Sequence, residues 1–123
     1  MEKVYYKKLI RDKIPDKILK RGSFLETRTM KPEEFEKRLS RKMVEEAKEL
    51  MVAKNRPEII AELADILDII DAFKELKEIK TEEIKKQRVL NQKIKGGFKK
   101  RLFLVWSSRD GYQDKESKCK LQS

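Results

Sequence analysis

The stretch KMVEEAKELMVAKNRPEIIAELAD, residues 42–65, decides how this chain folds. Apolar residues recur through it with a spacing of three and four, and only Asn55-Arg56-Pro57 interrupts the pattern. That period is the signature of an amphipathic helix, and a proline at the break ends one helix and opens the next. The stretch therefore predicts two helices meeting in a tight antiparallel hairpin. The first runs from Pro32, followed by the dipole-favoured acids Glu33 and Glu34, to about Lys54. The second runs from Pro57 to about Glu78.

The acids of the hairpin point in telling directions. At 100° per residue from Phe35, Leu39, Met43, Leu50 and Ala53 fall between about 0° and 80°, and Glu46 falls inside that stripe at about 20°. Glu49 and Lys42 flank it at about 320° and 340°, whereas Glu45 lies outside at about 280°. On the second helix, Glu62 sits within the arc formed by Ile59, Leu63, Ile66, Ile69, Ile70 and Phe73. Asp65 is at the edge of that arc, Asp68 lies further round, and Asp71 is on the opposite flank. A carboxylate on an apolar face calls for a cation, a hydrogen-bond network or a different helix assignment.

The turn supplies a second observation. Glu46 and Asp65 are equidistant from it, and so are Glu49 and Glu62, so each pair shares a height in an antiparallel hairpin. Partners within one helix are three residues apart, about 4.5 Å of rise, which lets four carboxylates converge on one small volume. A single acidic pair is ordinarily a solvated face. Two inward-facing pairs, symmetric about a turn, favour a metal site. Four oxygen donors with no soft ligand suit Mg²⁺ or Mn²⁺, and the chain contains no histidine for an ordinary zinc site.

Working outward, the start is basic and reads as extended, with a short helix around Asp16 to Lys20 and a break at Gly22-Ser23. Phe24 to Met30 alternates like a short strand. Thr81 with Glu82 and Glu83 opens a third long helix that ends before Gly96-Gly97. Arg101 to Trp106 reads as a second strand, able to pair with the first. The expectation is a mainly all-α antiparallel bundle with room for one two-stranded β element. It forms a single domain over residues 1–106, and the polar tail of residues 107–123 is expected to be poorly ordered.

Composition bounds the rest. The chain has 123 residues, 44% charged and 38% hydrophobic, with no run long enough to span a membrane. The opening residues lack a signal-peptide core, and Cys119 is the one cysteine, so a reducing cytoplasmic setting is expected. The net charge of +10 is uneven. Lys plus Arg outnumber Asp plus Glu by 8 to 3 in residues 1–23, trail 11 to 14 in 24–79, and lead 13 to 5 in 80–123. Carboxylates for a cation between basic flanks for phosphates would look like this. So would a nucleic-acid or partner-binding module using Tyr5, Tyr6, Phe98 and Trp106, but no recognised binding motif supports it and the inward acids go unexplained.

These residues resemble a known pattern. Glu45-Glu46-x-x-Glu49, followed by Glu62-x-x-Asp65, is similar to the EExxE and ExxD signature of the MazG-like all-α nucleoside triphosphate pyrophosphohydrolases. That superfamily includes dimeric dUTPases and phosphoribosyl-ATP pyrophosphohydrolases. The segment Lys8 to Pro15, and Gly96-Gly97-Phe98 leading into Arg101 to Trp106, look like the ends of its compact single-domain branch.

The resemblance implies Mg²⁺-dependent cleavage between the α and β phosphates of a nucleoside triphosphate, releasing pyrophosphate. It implies Glu46, Glu49, Glu62 and Asp65 as catalytic metal ligands and Lys42 as a phosphate contact, which the projection independently places on the right face. Asp68 is left as a second acid or a base. Arg11 and Lys13 of the opening motif are further phosphate candidates, as are Asn91 and Lys95, where a denser basic cluster would be expected. The opening and closing motifs rank a generic nucleotide above phosphoribosyl-ATP. The family's bundles usually assemble, and the second helix is apolar enough to expect a homo-oligomer.

Overall fold

Pro32 and Asn55 set where the two long helices begin. In the computed structural model, which describes residues 2–113, the chain forms α1 (Ile14–Lys20), α2 (Pro32–Val52), α3 (Arg56–Leu76) and α4 (Thr81–Ile94). Pro32 opens α2, where its missing N–H and fixed φ cost nothing, and Glu33 and Glu34 occupy the positive end of the helix dipole. Asn55 is extended at φ −142° and ψ 168°, and its side-chain oxygen accepts from the Glu58 backbone N–H at 3.0 Å. The Glu58 carboxylate in turn accepts from the Lys54 backbone N–H at 2.8 Å. Both ends of the short connection between α2 and α3 are thereby tied to the first turn of α3.

At the other end of α4, Gly96 adopts φ +78°, the left-handed conformation glycine takes without a Cβ penalty. Its N–H reaches back to the carbonyls of Asn91 and Gln92, which stops the helix before Gly96-Gly97.

α2 packs along α3, and their shared face holds Leu39 and Ile69, 2% and 6% exposed, the buried apolar side chains among the described residues. Phe35, Met43 and Leu50 on α2, with Ile66, Ile70 and Phe73 on α3, are half-buried beside them. An ion pair between Lys77 and Glu36 joins the far ends of the two helices. The described residues divide into two compact units between Glu78 and Ile79, so the hairpin and α1 lie in the first and α4 in the second.

The expected β element does not form: among the described residues there is no strand. An extended segment becomes a strand only by pairing its backbone with another, and neither Phe24 to Met30 nor Arg101 to Trp106 makes a ladder. Arg28 instead forms two 2.7 Å hydrogen bonds to the Glu34 carboxylate, which turns its segment towards the start of α2. No helix among the described residues is long and apolar enough to cross a membrane. Residues 114–123, with Cys119 and most of the expected tail, lie outside the described residues.

Candidate metal centre

The inward-facing acids of the hairpin meet. One carboxylate oxygen from each of Glu46, Glu62 and Asp65 lies within 4.8 Å of the others, drawing on both long helices. Glu46 is 3% exposed, while Glu62 and Asp65 are half-buried. A second triad shares its first member: Glu45, Glu46 and Glu49 also bring an oxygen each within 4.8 Å, all from α2. The helical projection places Glu45 outside the inward-facing stripe. A glutamate side chain is long enough to swing back across that angular gap, so Glu45 joins Glu46 while staying exposed. Both pairs expected across the turn are in contact, Glu46 with Asp65 and Glu49 with Glu62, and Glu45 adds a second triad on Glu46.

The electrostatics separate these acids. Contact with Glu46, burial, and the charges of Glu46 and Glu49 push Glu62 up to about 7. Burial works to raise Glu46 as well, but its contacts with Glu62, Lys42 and Asp65 outweigh that and hold it below the ordinary carboxylate range. Two carboxylates this close cannot both ionise freely, so near neutral pH the pair shares one proton. Each also leaves an oxygen, Oε2, buried without a hydrogen-bond partner.

Orphaned buried acceptors are costly and call for a missing donor or cation. All the donors here are carboxylate oxygens, which fits a hard divalent ion such as Mg²⁺ or Mn²⁺ and does not fit a soft one. Glu46, Glu62 and Asp65 are the residues that could hold it, with Glu49 next to Glu62 at the exposed side.

The basic candidates divide. The Lys42 ammonium lies 3.2 Å from Glu46 and 3.6 Å from Glu45, so it is both the helical partner of Glu46 and a cation at the edge of the cluster. Burial works against its charge, yet Glu46 and Glu45 carry its pKa above the usual lysine value. Arg11 donates to Asp65 at 2.8 Å and to Asp68 at 2.7 Å. It thus meets the carboxylates directly, and Asp68 faces an arginine rather than the other acids. Lys13 is exposed next to the start of α1, and Asp71 pairs with Lys74 at 3.7 Å.

Asn91 and Lys95 belong to the second unit, on α4 and at its end. The Asn91 side chain accepts from Gln87 at 2.9 Å, and the Lys95 backbone N–H bonds to the Asn91 carbonyl at 2.8 Å.

Three residues absent from the expected site stand beside it. Lys8 from the opening segment and Arg38 and Arg41 from α2 line a cleft with Leu9, Lys42 and Glu45. The spacing of 38, 41 and 42, with 45 a turn further on, is the signal that would have found the two arginines, and nothing in that pattern points to Lys8.

No curated protein and no solved structure matches the chain. The family model for phosphoribosyl-ATP pyrophosphohydrolase matches residues 12–87. That span takes in the whole hairpin and every candidate carboxylate, and leaves Lys8, Arg11, Asn91 and Lys95 outside. With the match covering more than half of the chain, and the acids of the MazG-like signature meeting as described, this chain belongs to the phosphoribosyl-ATP pyrophosphohydrolase family of the MazG-like superfamily, hydrolases of a pyrophosphate bond that are generally divalent-metal dependent.

Proposed function

We propose that the chain hydrolyses phosphoribosyl-ATP between its α and β phosphates, releasing pyrophosphate, with Mg²⁺ or Mn²⁺ held by Glu46, Glu62 and Asp65 and supported by Glu49. The opening and closing motifs favour a generic nucleoside triphosphate. The family match over residues 12–87 favours phosphoribosyl-ATP, and we rank it first. The observation that carries the reading is the pair of buried, unpartnered carboxylate oxygens, one on Glu46 and one on Glu62, two residues whose carboxylates meet across the hairpin.

The ion would supply charge neutralisation at phosphate oxygens and an acidified water for attack on phosphorus. The chain's own residues do the rest. Glu46 and Glu62 give up their shared proton when they take a cation, which makes them full oxygen donors. Asp65 closes the triad and is held from behind by Arg11. Lys42 has three N–H donors and two carboxylate neighbours, which leaves one donor for a phosphate oxygen at the edge of the cluster.

Pyrophosphate release by the full chain, measured with Mg²⁺ and Mn²⁺ over phosphoribosyl-ATP and the common nucleoside triphosphates, tests this. The expected result is metal-dependent turnover with phosphoribosyl-ATP preferred. Turnover of another triphosphate alone would overturn the substrate. Steeply salt-dependent nucleic-acid binding with no turnover at all would overturn the enzyme.

A homo-oligomer is part of the reading. Ile59, Ile60, Leu63 and Leu67 on α3 are exposed, and few apolar side chains are buried, which favours a second copy covering that helix. Light scattering is expected to give at least a dimer, and a monomer at micromolar concentration would refute it.

A further inference from the structure

Adjoining the carboxylates, and sharing Lys42 and Glu45 with them, lies a cleft of about 220 Å³ lined by Lys8, Leu9, Arg38, Arg41, Lys42 and Glu45. Four of its six side chains are cationic. Lys42 is committed to Glu45 and Glu46, but Lys8 and Arg41 are exposed and have no ion pair among the described residues. Lys7, immediately before Lys8, has φ +49°, a conformation L-residues rarely adopt. Unpaired like charges gathered in a concavity repel one another, and an anion relieves that repulsion.

Size and position narrow the anion. The cleft is smaller than the roughly 300–1,000 Å³ of pockets that enclose a whole small-molecule ligand, so it suits one charged end of a ligand rather than a complete nucleotide. Along α2 it runs from the level of Lys42 to that of Arg38, about 6 to 12 Å of helix rise from Glu46. A ligand that fills the cleft and the carboxylate cluster together must therefore carry two anionic groups well apart. Phosphoribosyl-ATP has that form, with a triphosphate at one end and a phosphomonoester on its second ribose at the other.

We propose that the Lys8, Arg38 and Arg41 cleft binds the phosphomonoester of the substrate, while the triphosphate lies at the carboxylates. This rests on the phosphoribosyl-ATP reading given above. Arg41 is the side chain to remove, because it is exposed and holds up nothing else, and its planar fork can give a phosphate two parallel hydrogen bonds.

The test uses the full chain and its Arg41→Glu and Arg41→Lys variants, with their folds checked by circular dichroism. Two readouts are taken: binding of ribose 5-phosphate by calorimetry without metal, and KM for phosphoribosyl-ATP and for ATP with Mg²⁺. Arg41→Glu is expected to weaken ribose 5-phosphate binding about tenfold or more, and to raise KM for phosphoribosyl-ATP about tenfold more than KM for ATP. Arg41→Lys should recover part of both losses.

Equal rises in the two KM values would overturn the proposal by assigning the cleft to the triphosphate, with the substrate reading intact. No change in either readout would overturn it as well. If the wild-type chain fails to hydrolyse phosphoribosyl-ATP, the substrate reading falls, and the ribose 5-phosphate titration still decides the cleft: binding lost in Arg41→Glu upholds a phosphomonoester site, and no binding by the wild type refutes it.

Discussion

Two acidic triads share Glu46 and differ in almost everything else. Glu45, Glu46 and Glu49 come from a single helix and two of them are exposed, whereas Glu46, Glu62 and Asp65 come from both arms of the hairpin and none is exposed. Water solvates Glu45 and Glu49 in the first group, and Lys42 balances part of its charge. The second is screened by the helices themselves, and there an oxygen on Glu46 and another on Glu62 find no partner. The same residue type at the same mutual distance is thus a surface feature at Glu45 and part of a site at Glu46, which Glu49 joins through its contact with Glu62. What separates them is desolvation across a hairpin, not the density of acids.

That contrast predicts unequal mutants, and the largest expected effect is on turnover. Glu62→Gln keeps shape and hydrogen-bonding capacity but removes an ionisable donor from the buried triad. It should lower kcat/KM by about a hundredfold or more, with the fold retained. Glu45→Gln, in the exposed triad, should cost less than about tenfold, because solvent and Lys42 already compensate that carboxylate. Equal losses in the two variants, measured as pyrophosphate release, would mean that both triads work as one site and that burial is the wrong criterion.

The parts of this picture differ in how far sequence reveals them. The helices are legible because their causes are local: a 3.6-residue apolar period, prolines in the first turns of α2 and α3, an asparagine cap at 55, and a left-handed glycine at 96. Glu46 is legible for the same reason, being an acid inside an apolar stripe.

The two expected strands are not, since a strand needs a partner and alternation within one segment cannot supply it. Glu45 escapes a projection that fixes the direction of Cβ but not the reach of the side chain. Arg11 meets Asp65 and Asp68 across more than fifty residues, from a segment with no period. Lys13, two residues away in the same motif, makes no such contact, and nothing in the motif distinguishes the two.

A smaller effect, on stability, separates the triads by pH. Glu62 titrates near 7 in the folded, metal-free chain and near the ordinary carboxylate value when unfolded. Between about 4.5 and 7 the folded state therefore keeps a proton that the unfolded state has lost, and stability falls as pH rises through that window. Glu46 works the other way at lower pH: its depressed pKa favours the folded state above about 4.5, an advantage lost on acidification.

Denaturation in chelator at pH 5, 6, 7 and 8 should show the fall and then a plateau. Saturating Mg²⁺ should remove it, because the cation takes the place of the shared proton. Glu62→Gln should abolish the fall and Glu45→Gln should keep it. A metal-free wild type whose stability stays level or rises from pH 5 to 7 would contradict the assignment of a shared proton to the buried triad.

The smallest effect concerns Arg11, a cation that reaches the buried triad from outside the hairpin. Arg11 holds Asp65 by one oxygen and Asp68 by another, with its own side chain 60% exposed. Two consequences of removing it oppose each other. Loss of a nearby positive charge should tighten divalent-ion binding, while loss of the hydrogen bond frees Asp65 to rotate and should weaken it. At this exposure solvent and salt screen the charge effect to a fraction of a kcal/mol, whereas carboxylates that bind metal depend on the groups that orient them. Orientation should win narrowly: Arg11→Ala is expected to weaken Mg²⁺ or Mn²⁺ binding about threefold in calorimetry, and Arg11→Lys, a point charge unable to bridge both aspartates, should lie between. Raising the salt should leave this loss in place, since orientation is not screened. Tighter binding in Arg11→Ala, fading as salt is added, would instead make Arg11 a competitor for Asp65, and would place part of the exposed electrostatics inside the buried site.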